Sequence, residues 1–308
     1  MSILSLIAVF LIEQLQPLNY RRVVAEPLGV WLDAIEARFN AGAYRYGIFA
    51  WCLAVLVPVI AVGAVYALLY AISPVLAWVL NVAVLYLTMG FRQFSHYYTD
   101  IQLALRLGDI ERARHQLGEW QNRSTSGLSS EEIARLSIEG ALAASHRHVF
   151  GVLVWFVIFP GPCGALLYRL SAFVFERWEQ KSLTESNEFS IFPQQVFGII
   201  DWLPLRVTAS GFAIVGNFED AVDCWRTQAL QWPDRNLGIV LASGAGALGV
   251  QLGSPVVADG VEVADRAELG VGDPADVEFM HRAVGLVWRA TVLWIFLLFL
   301  LGLASLAG

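Results

Sequence analysis

Two long apolar runs set the class of structure that this chain can adopt. The run from Ile48 to Ile72 contains no charged residue, and the run from Ala283 to Leu303 carries Arg289 alone. A helix needs about 20 consecutive apolar residues to cross the hydrocarbon core of a bilayer, and only helices and closed barrels satisfy their backbone groups there. These runs therefore predict transmembrane helices.

The composition supports a membrane protein and excludes several other classes. The chain is 57% hydrophobic and 15% charged, with a mean hydropathy of +0.58, whereas soluble domains carry about 25% charged residues. The net charge of -7 and the lack of a basic face argue against nucleic-acid binding. Cys52, Cys163 and Cys224 are too widely spaced to indicate a metal motif or a disulfide framework. The expected partner is the lipid bilayer, and the sequence leaves open whether the chain forms a homo-oligomer.

The pattern of apolar and polar segments predicts an all-α, polytopic helical membrane protein with helical hairpins and a cytoplasmic helical portion. We interpret residues 1–308 as a single integral-membrane domain. The apolar segment that ends at Glu13 is too short to span alone. The expected segments are spans at about 48–72, 75–89, 149–175 (as a hairpin) and 283–303, a cytoplasmic helical segment at 90–148 and a broken-helix region at 197–254.

The distribution of arginine predicts how the chain is oriented. The two expected hairpin tips, at 73–74 and 160–164, carry no charge, and most arginines lie in the segments between the spans. Cytoplasmic segments of membrane proteins carry an excess of Lys and Arg. We therefore expect a multi-pass protein of the cell inner membrane whose polar segments are mostly cytoplasmic.

Local signals predict two helix starts and an acidic loop. Ser129 followed by Glu132 has the spacing of a capping box, and Asp109 is placed to cap an earlier helix. Residues 255–280 are rich in acids, with Arg266 as their single basic residue. This acidic loop lacks the alternating pattern of an EF-hand.

The stretch from Phe197 to Arg226 is apolar but carries Asp-Trp-Leu-Pro-Leu-Arg at residues 201–206. A charged side chain in apolar surroundings is costly unless it meets a partner or a polar ligand. Because Pro204 removes one backbone hydrogen bond, we expect a broken helix here. In one interpretation Arg206 holds a phosphate or carboxylate, and Asp201 binds a metal, an amine or a partner arginine. In the other, both residues belong to a structural ion-pair network.

Two further sets of polar residues could carry chemistry. Glu139 and His146 are seven positions apart, which places them on one helical face as candidates for acid–base or ligand-binding roles. The alternative for His146, together with His148, is an interfacial position at a helix end, beside the carbonyl end of the helix dipole. Glu219, Asp220 and Asp223 could bind Mg²⁺ together with a phosphate ligand, but an acidic helix end at the water surface has the same pattern.

The segment DWLPLRVTASGFAIVGNF, Asp201 to Phe218, resembles the AmpE family of inner-membrane proteins, which are linked to signalling that controls β-lactamase induction. The segments LALRLGDIERAR and PGPCGALLYRL fit the same family in order. AmpE proteins are similar to the CobD/CbiB proteins, the adenosylcobinamide-phosphate synthases of cobalamin biosynthesis, and this wider resemblance covers most of the chain. Asn236 and the run GALGVQLG, Gly246 to Gly253, look more like the synthases.

The wider resemblance implies an enzyme that joins an aminopropanol-type amine to a corrinoid carboxylate with ATP and Mg²⁺. In the synthases, a glutamate matching Glu139 is followed by Glu-Asn and Asp-Gly pairs, and another glutamate precedes the glycine run. Here those places hold Ala144-Ser145, Phe150-Gly151 and Leu241. Because carboxylates would hold Mg²⁺ and position the amine, their loss leads us to expect no synthase turnover.

The leading expectation is therefore an AmpE-like member of the CobD/CbiB superfamily that binds a ligand or takes part in signalling. Its ligand would be an anionic or amphipathic small molecule. The alternative is a divergent adenosylcobinamide-phosphate synthase, with Glu139 and Asp201 as candidate catalytic residues. Mg²⁺ and ATP are expected as cofactors only in that alternative. The candidate ligand-binding residues are Arg206, Asp201, Trp202, Asn236 and His146.

Overall fold

The structure, a computed structural model, describes residues 2–15, 20–182, 188–258, 261–264 and 266–307. The chain divides into two units, the first made of residues 1–92 and 147–204 and the second of residues 93–146 and 205–308. Helices dominate the described residues, which confirms the predicted all-α class. The helices are α1 Ser2–Leu15, α2 Glu26–Phe39, α3 Tyr44–Trp51, α4 Val57–Ile72, α5 Pro74–Thr88, α6 Phe91–Arg106, α7 Ile110–Gln121, α8 Ser130–Ser145, α9 Gly151–Ile158, α10 Cys163–Ser182, α11 Ile191–Val215, α12 Phe218–Thr227, α13 Arg235–Leu248 and α14 Val277–Ala307.

π-helical turns, a 3₁₀ turn and a few short strands complete the described structure. π-helical turns lie at Arg21–Ala25, Cys52–Leu56 and His146–Phe150, and a 3₁₀ turn at Ala229–Gln231. The strands form two small sheets: β1 pairs with β4 in parallel, and β2 pairs with β3 antiparallel. The strands are β1 Val250–Gln251, β2 Val256–Ala258, β3 Val261–Ala264 and β4 Asp273–Pro274.

Long apolar helices make this a multi-pass membrane protein. In the described part of the chain, four helices are long and apolar enough to cross a bilayer: Tyr44–Ile72, Ser130–Ile158, Ile191–Val215 and Val277–Ala304. The first of these joins α3 and α4 through the π-helical turn between them. Its apolar side chains are largely exposed, among them Ile60 and Leu68, as expected for a surface that meets lipid tails.

The first unit is built from packed helical hairpins. α4 and α5 pack against each other and are joined at Ser73, where Pro74 begins α5 with its preset helical φ. α1 packs against α5, and α10 packs against α9, α5 and α4. Gly164 lets the two legs of the α9–α10 hairpin approach closely, because a Cβ there would collide with the carbonyl oxygen of Trp155.

Pro204 does not break α11, which differs from the expected broken helix. α11 runs without interruption from Ile191 to Val215 with Pro204 inside it. A proline leaves the carbonyl four residues earlier without its helical donor. That carbonyl, of Ile200, accepts a hydrogen bond of 3.0 Å from the indole N–H of Trp155. The helix continues because α9 supplies the missing donor.

The second unit is organised around α8. This helix begins with the predicted capping box: Ser129 Oγ accepts from the Glu132 N–H at 3.2 Å, and Glu132 Oε2 accepts from the Ser129 N–H at 2.8 Å. Asp109 caps α7 as predicted, by accepting from the Arg112 N–H at 3.1 Å. α14, α13 and α7 all pack against α8, which buries most of its length.

Small residues allow α13 to lie close to its neighbours. A Cβ at Gly246 would collide with the carbonyl oxygen of Asp220 on α12. A Cβ at Gly244 would come within 2.8 Å of the Leu142 side chain on α8. The glycine-rich run thus serves helix packing.

Several boundaries differ from those expected. The helix of α8 continues through the π-helical turn into α9, so the limit expected at residues 148–149 falls inside one helix, since no proline interrupts it. The polar stretch after residue 175 remains helical as far as Ser182. The acidic loop contains the short strands β2 to β4, while its residues Asp259 and Asp265 lie outside the described residues.

Candidate functional site

Glu139 lies on α8 in the second unit, with 7% of its surface exposed. Its Oε1 accepts a hydrogen bond of 2.9 Å from the backbone N–H of Gly253. Its Oε2 forms a buried ion pair with Arg266. A buried carboxylate is costly without polar partners, and Gly253 and Arg266 supply them here.

Arg266 is itself fixed from a second side. Its guanidinium carbon lies 4.4 Å from the centre of the Trp232 ring, in a cation–π contact. The side chain is 11% exposed. Arg266 therefore has a defined position between an aromatic face and a carboxylate.

Arg123 adds a second positive charge near this pair. Burial lowers the pKa of the Arg123 guanidinium, the like charge of Arg266 lowers it further, and Glu139 acts in the opposite direction. An arginine remains charged despite such a shift. Arg266 is thus ion-paired with Glu139, and Arg123 lies close enough for its charge to interact with both.

Gly253 has a conformation that only glycine adopts easily, with φ of +79°. A Cβ at this position would collide with the carbonyl oxygen of Ala267. The backbone can therefore turn here and present its N–H to Glu139. The final glycine of the GALGVQLG run thus has a direct role in this site, which we call the Glu139 site (Glu139, Arg266, Arg123, Gly253 and Trp232).

His146 lies where α8 passes into its π-helical turn, and it is completely buried. Its Nδ1 is 2.9 Å from Thr208 Oγ1 on α11. The structure gives His146 this polar partner within the second unit. The proposed ligand-binding role of His146 stays a prediction.

Asp201 lies on α11 in the first unit and is 3% exposed. Its Oδ1 accepts a hydrogen bond of 2.8 Å from the hydroxyl of Tyr168 on α10. The buried carboxylate is therefore held by a side chain that the sequence did not single out.

The other candidate ligand-binding residues lie in different settings. Trp202 is 55% exposed, and Arg206, half-buried, belongs to the second unit. Asp201 and Arg206 are five positions apart on α11, which runs unbroken from one to the other. Asn236 is exposed in the first turn of α13, and its N–H donates to Asp234 Oδ1 at 3.0 Å.

The candidate metal ligands lie on α12. Asp220 Oδ2 accepts a hydrogen bond of 2.5 Å from Asn217 Nδ2, at the capped start of the helix. Asp223 lines an open depression of about 690 Å³, together with Glu219 and Arg226. No group of three His, Cys, Asp or Glu side chains in the described part of the chain is arranged to hold a metal ion. The metal role stays a prediction.

Sequence reasoning singled out Glu139 but missed the residues around it. Arg266 carries one recognisable signal, since it is the single basic residue of the acidic stretch 255–280. No such signal marks Arg123 and Trp232 near Glu139, or Tyr168 beside Asp201. These residues meet their partners only when helices and loops that are remote in the chain pack together.

The sequence is similar to proteins that are named CobD or CbiB. The sequence model of the family described as CobD/Cbib protein matches residues 23–287. Cobalamin biosynthesis protein CobD of Stutzerimonas stutzeri is 33% identical over 301 residues, which cover 96% of each chain. That of Chromobacterium violaceum is 36% identical over 221 residues, 72% of this chain and 70% of that protein. Cobalamin biosynthesis protein CbiB of Salmonella typhimurium is 25% identical over 250 residues, 76% of this chain and 74% of that protein. No solved structure shows a significant match.

These relatives overturn the expectation of an AmpE-like signalling or ligand-binding protein without turnover. They carry names of cobalamin biosynthesis, which favours the synthase alternative. The expectation gave too much weight to missing acids. The places where the synthases carry these acids hold Ala144, Phe150 and Leu241 here; Phe150 and Leu241 are almost completely buried, and Ala144 is half-buried. Glu139 keeps its hydrogen bonds with Gly253 and Arg266 although these acids are missing.

Proposed function

This chain belongs to the CobD/CbiB protein family, and from that premise we propose that it is a divergent adenosylcobinamide-phosphate synthase of cobalamin biosynthesis. It would form an amide between a corrinoid carboxylate and an aminopropanol-type amine. The observation that carries the proposal is the similarity to the CobD protein of S. stutzeri along 96% of both chains.

The Glu139 site supports this chemistry. A carboxylate substrate needs a positively charged pocket, and Arg123 and Arg266 together exceed the charge of Glu139. When the amine attacks, negative charge develops on the carbonyl oxygen, and fixed guanidinium groups stabilise it. Glu139 acts as a positioning residue, because it and Trp232 hold Arg266 in place.

Mg²⁺ and ATP belong to the proposal as cofactor and co-substrate. When bound, Mg²⁺–ATP supplies the phosphoryl group that makes one oxygen of the acid a leaving group. Mg²⁺ usually keeps several waters and takes one or two protein carboxylates together with phosphates. Glu219 and Asp223 fit this need, because they are one turn apart on α12 and line the same open depression. Asp220, which is bonded to Asn217, is a weaker choice.

We also propose an inner-membrane location with the polar segments in the cytoplasm. The arginines of the polar segments 90–129 and 216–276, which lie outside the four candidate spans, support this orientation through the positive-inside bias. A cytoplasmic side would give α12 access to ATP.

The test is ATP-dependent amide formation by the purified protein, paired with complementation of a strain that lacks the synthase. We expect wild-type protein to rescue growth on the corrinoid acid and to form the amide. Glu139→Gln should lower kcat/KM by about 10²–10³, since Arg266 loses its counter-charge and its position. Glu131→Gln is the matched control, because Glu131 is exposed in the first turn of the same helix.

The outcomes separate clearly. Absence of both rescue and amide formation, at a protein level equal to that of a working synthase, would reject the proposal. Equal loss of activity in Glu139→Gln and Glu131→Gln would reject the assignment of the Glu139 site while leaving the activity itself in place.

A further inference from the structure

Arg169 is a buried arginine in the first unit, on α10, with 3% of its surface exposed. Its Nε and Nη2 both donate to the hydroxyl oxygen of Tyr20, at 3.0 and 2.7 Å. Among the residues that the structure describes, no carboxylate lies within ion-pair distance of it. A neutral phenol thus takes two of its bonds, and no described carboxylate forms an ion pair with it.

The third nitrogen of this guanidinium, Nη1, is left without a protein partner among the described residues. Nη1 of Arg169 is buried and has no hydrogen-bond partner in the described part of the chain. A buried guanidinium with unsatisfied donors and no counter-charge is costly, and proteins retain such groups where they bind something.

His148 presents a second buried nitrogen of the same kind. Its Nδ1 has no hydrogen-bond partner within the described residues. Its ring meets the Tyr20 ring edge to face, with centroids 6.2 Å apart. His148 lies in the π-helical turn His146–Phe150, and such single wide turns occur frequently at functional sites.

Tyr20 connects the two. Its oxygen accepts both bonds from Arg169, and its own hydrogen remains available to donate. The tautomer of His148 with its proton on Nδ1 supplies another donor. Arg169 Nη1, the Tyr20 hydroxyl and His148 Nδ1 are therefore three donors around one tyrosine.

Arg147, a second arginine of the first unit, differs from Arg169 because it has a carboxylate partner. Arg147 pairs with Glu176, with a distance of 2.9 Å between Nη1 and Oε1. Arg147 therefore has a carboxylate partner, whereas Arg169 has none within the part of the chain that the structure describes.

We propose that Arg169, Tyr20 and His148 form a buried binding site for a phosphate group in the first unit. A phosphate offers several acceptor oxygens and the negative charge that Arg169 lacks as a partner. Its source is either a soluble phosphate or the headgroup of an anionic phospholipid. The proposal does not depend on the synthase activity.

The test measures the thermal unfolding midpoint of purified, lipid-stripped protein. One arm adds inorganic phosphate against chloride at equal ionic strength. The other adds phosphatidylglycerol against a diacylglycerol with the same acyl chains. We expect a saturable rise of the midpoint in at least one arm, since a ligand that binds the native state stabilises it. A rise with phosphate indicates a soluble ligand, and a rise confined to phosphatidylglycerol indicates a lipid headgroup.

Two variants assign the response to this site. Arg169→Gln should abolish the rise, whereas Arg177→Gln should keep it, because Arg177 is already paired with Asp33 through hydrogen bonds of 3.0 and 2.6 Å. His148→Phe retains the aromatic edge against Tyr20 and removes a nitrogen that has no described partner. It should weaken the apparent affinity about tenfold, the effect of losing one hydrogen bond to a charged group.

The proposal is overturned if wild-type protein shows no saturable rise in either arm. It is also overturned if Arg169→Gln responds as wild type does. Should Arg169→Gln not fold, His148→Phe decides: an unchanged affinity would mean that the cluster serves structure alone.

Discussion

The indole N–H of Trp155 donates to the carbonyl oxygen of Ile200 at 3.0 Å. That carbonyl is the one that Pro204 leaves without a helical donor. A side chain on α9 thus completes the backbone hydrogen bonding of α11, and both lie in the first unit.

This relationship predicts that Trp155→Phe destabilises the protein by about 1–3 kcal/mol, because the Ile200 carbonyl loses its partner in a buried setting. The measurement is the free energy of unfolding in mixed micelles. The matched background is Pro204→Ala, in which the alanine N–H can donate to the same carbonyl. In that background, Trp155→Phe should lower the free energy of unfolding by clearly less. An equal loss in both backgrounds would show that Trp155 does not compensate for Pro204.

The Glu139–Arg266 pair predicts strong coupling. Arg266→Gln should destabilise the protein by about 3–5 kcal/mol, because it leaves a buried carboxylate without its counter-charge. Glu139→Gln in the same chain should recover part of that loss. Arg282→Gln is the control, since Arg282 forms an exposed pair with Glu278 at 3.5 Å and should cost about 0–1 kcal/mol. Additive effects of the two buried substitutions, measured as unfolding free energies, would count against a coupled site.

Gly253→Ala tests the backbone turn that serves Glu139. Gly108 provides a control, with φ of +75° and nothing near a built Cβ. Gly108→Ala should cost about 1–2 kcal/mol from the left-handed conformation alone. Gly253→Ala should cost more, because its Cβ also collides with Ala267, and it should reduce complementation. If both variants unfold at the same midpoint, the close approach at Gly253 does not matter for stability.

Cys224 gives a pH-dependent prediction. Burial raises the pKa of the Cys224 thiol, and the nearby charges of Asp223 and Asp220 raise it further. The thiolate is the reactive form, so alkylation of Cys224 should accelerate only at a pH above that needed for a free thiol. A chain with Cys224 as its only cysteine is compared by mass spectrometry with one whose only cysteine comes from Ser126→Cys, at an exposed turn. If the two cysteines were alkylated with the same pH midpoint, burial and the nearby aspartates would not raise the pKa of the Cys224 thiol.

Local patterns predicted local features well. The capping box of Ser129 and Glu132 and the cap at Asp109 follow from short-range hydrogen bonds, and the structure confirms both. The expected break at Pro204 was wrong because the freed carbonyl of Ile200 accepts a hydrogen bond from Trp155, 45 positions before it in the chain. Local rules describe what proline removes and cannot indicate what a neighbouring helix supplies.

The candidate site shows the same division. Glu139 stood out by its type and by its resemblance to the synthases, but its partner Arg266 lies 127 positions away. The missing acids at Ala144, Phe150 and Leu241 led us to expect no turnover, whereas the names of the relatives favour the synthase alternative. Phe150 and Leu241 are almost completely buried and Ala144 is half-buried, which a single sequence does not reveal.

The sequence by itself determined the membrane class, the helical class and the family, because apolar run length, composition and family motifs are properties of the chain order. Only the tertiary structure decided that α11 continues through Pro204 and that Gly253 and Arg266 meet Glu139. It also decided that Arg169 lies buried beside Tyr20, with no ion-pair partner among the described residues. These features depend on which distant groups come within hydrogen-bond distance after the helices pack. Packing joins residues by surface shape and burial, and neither is encoded at one position.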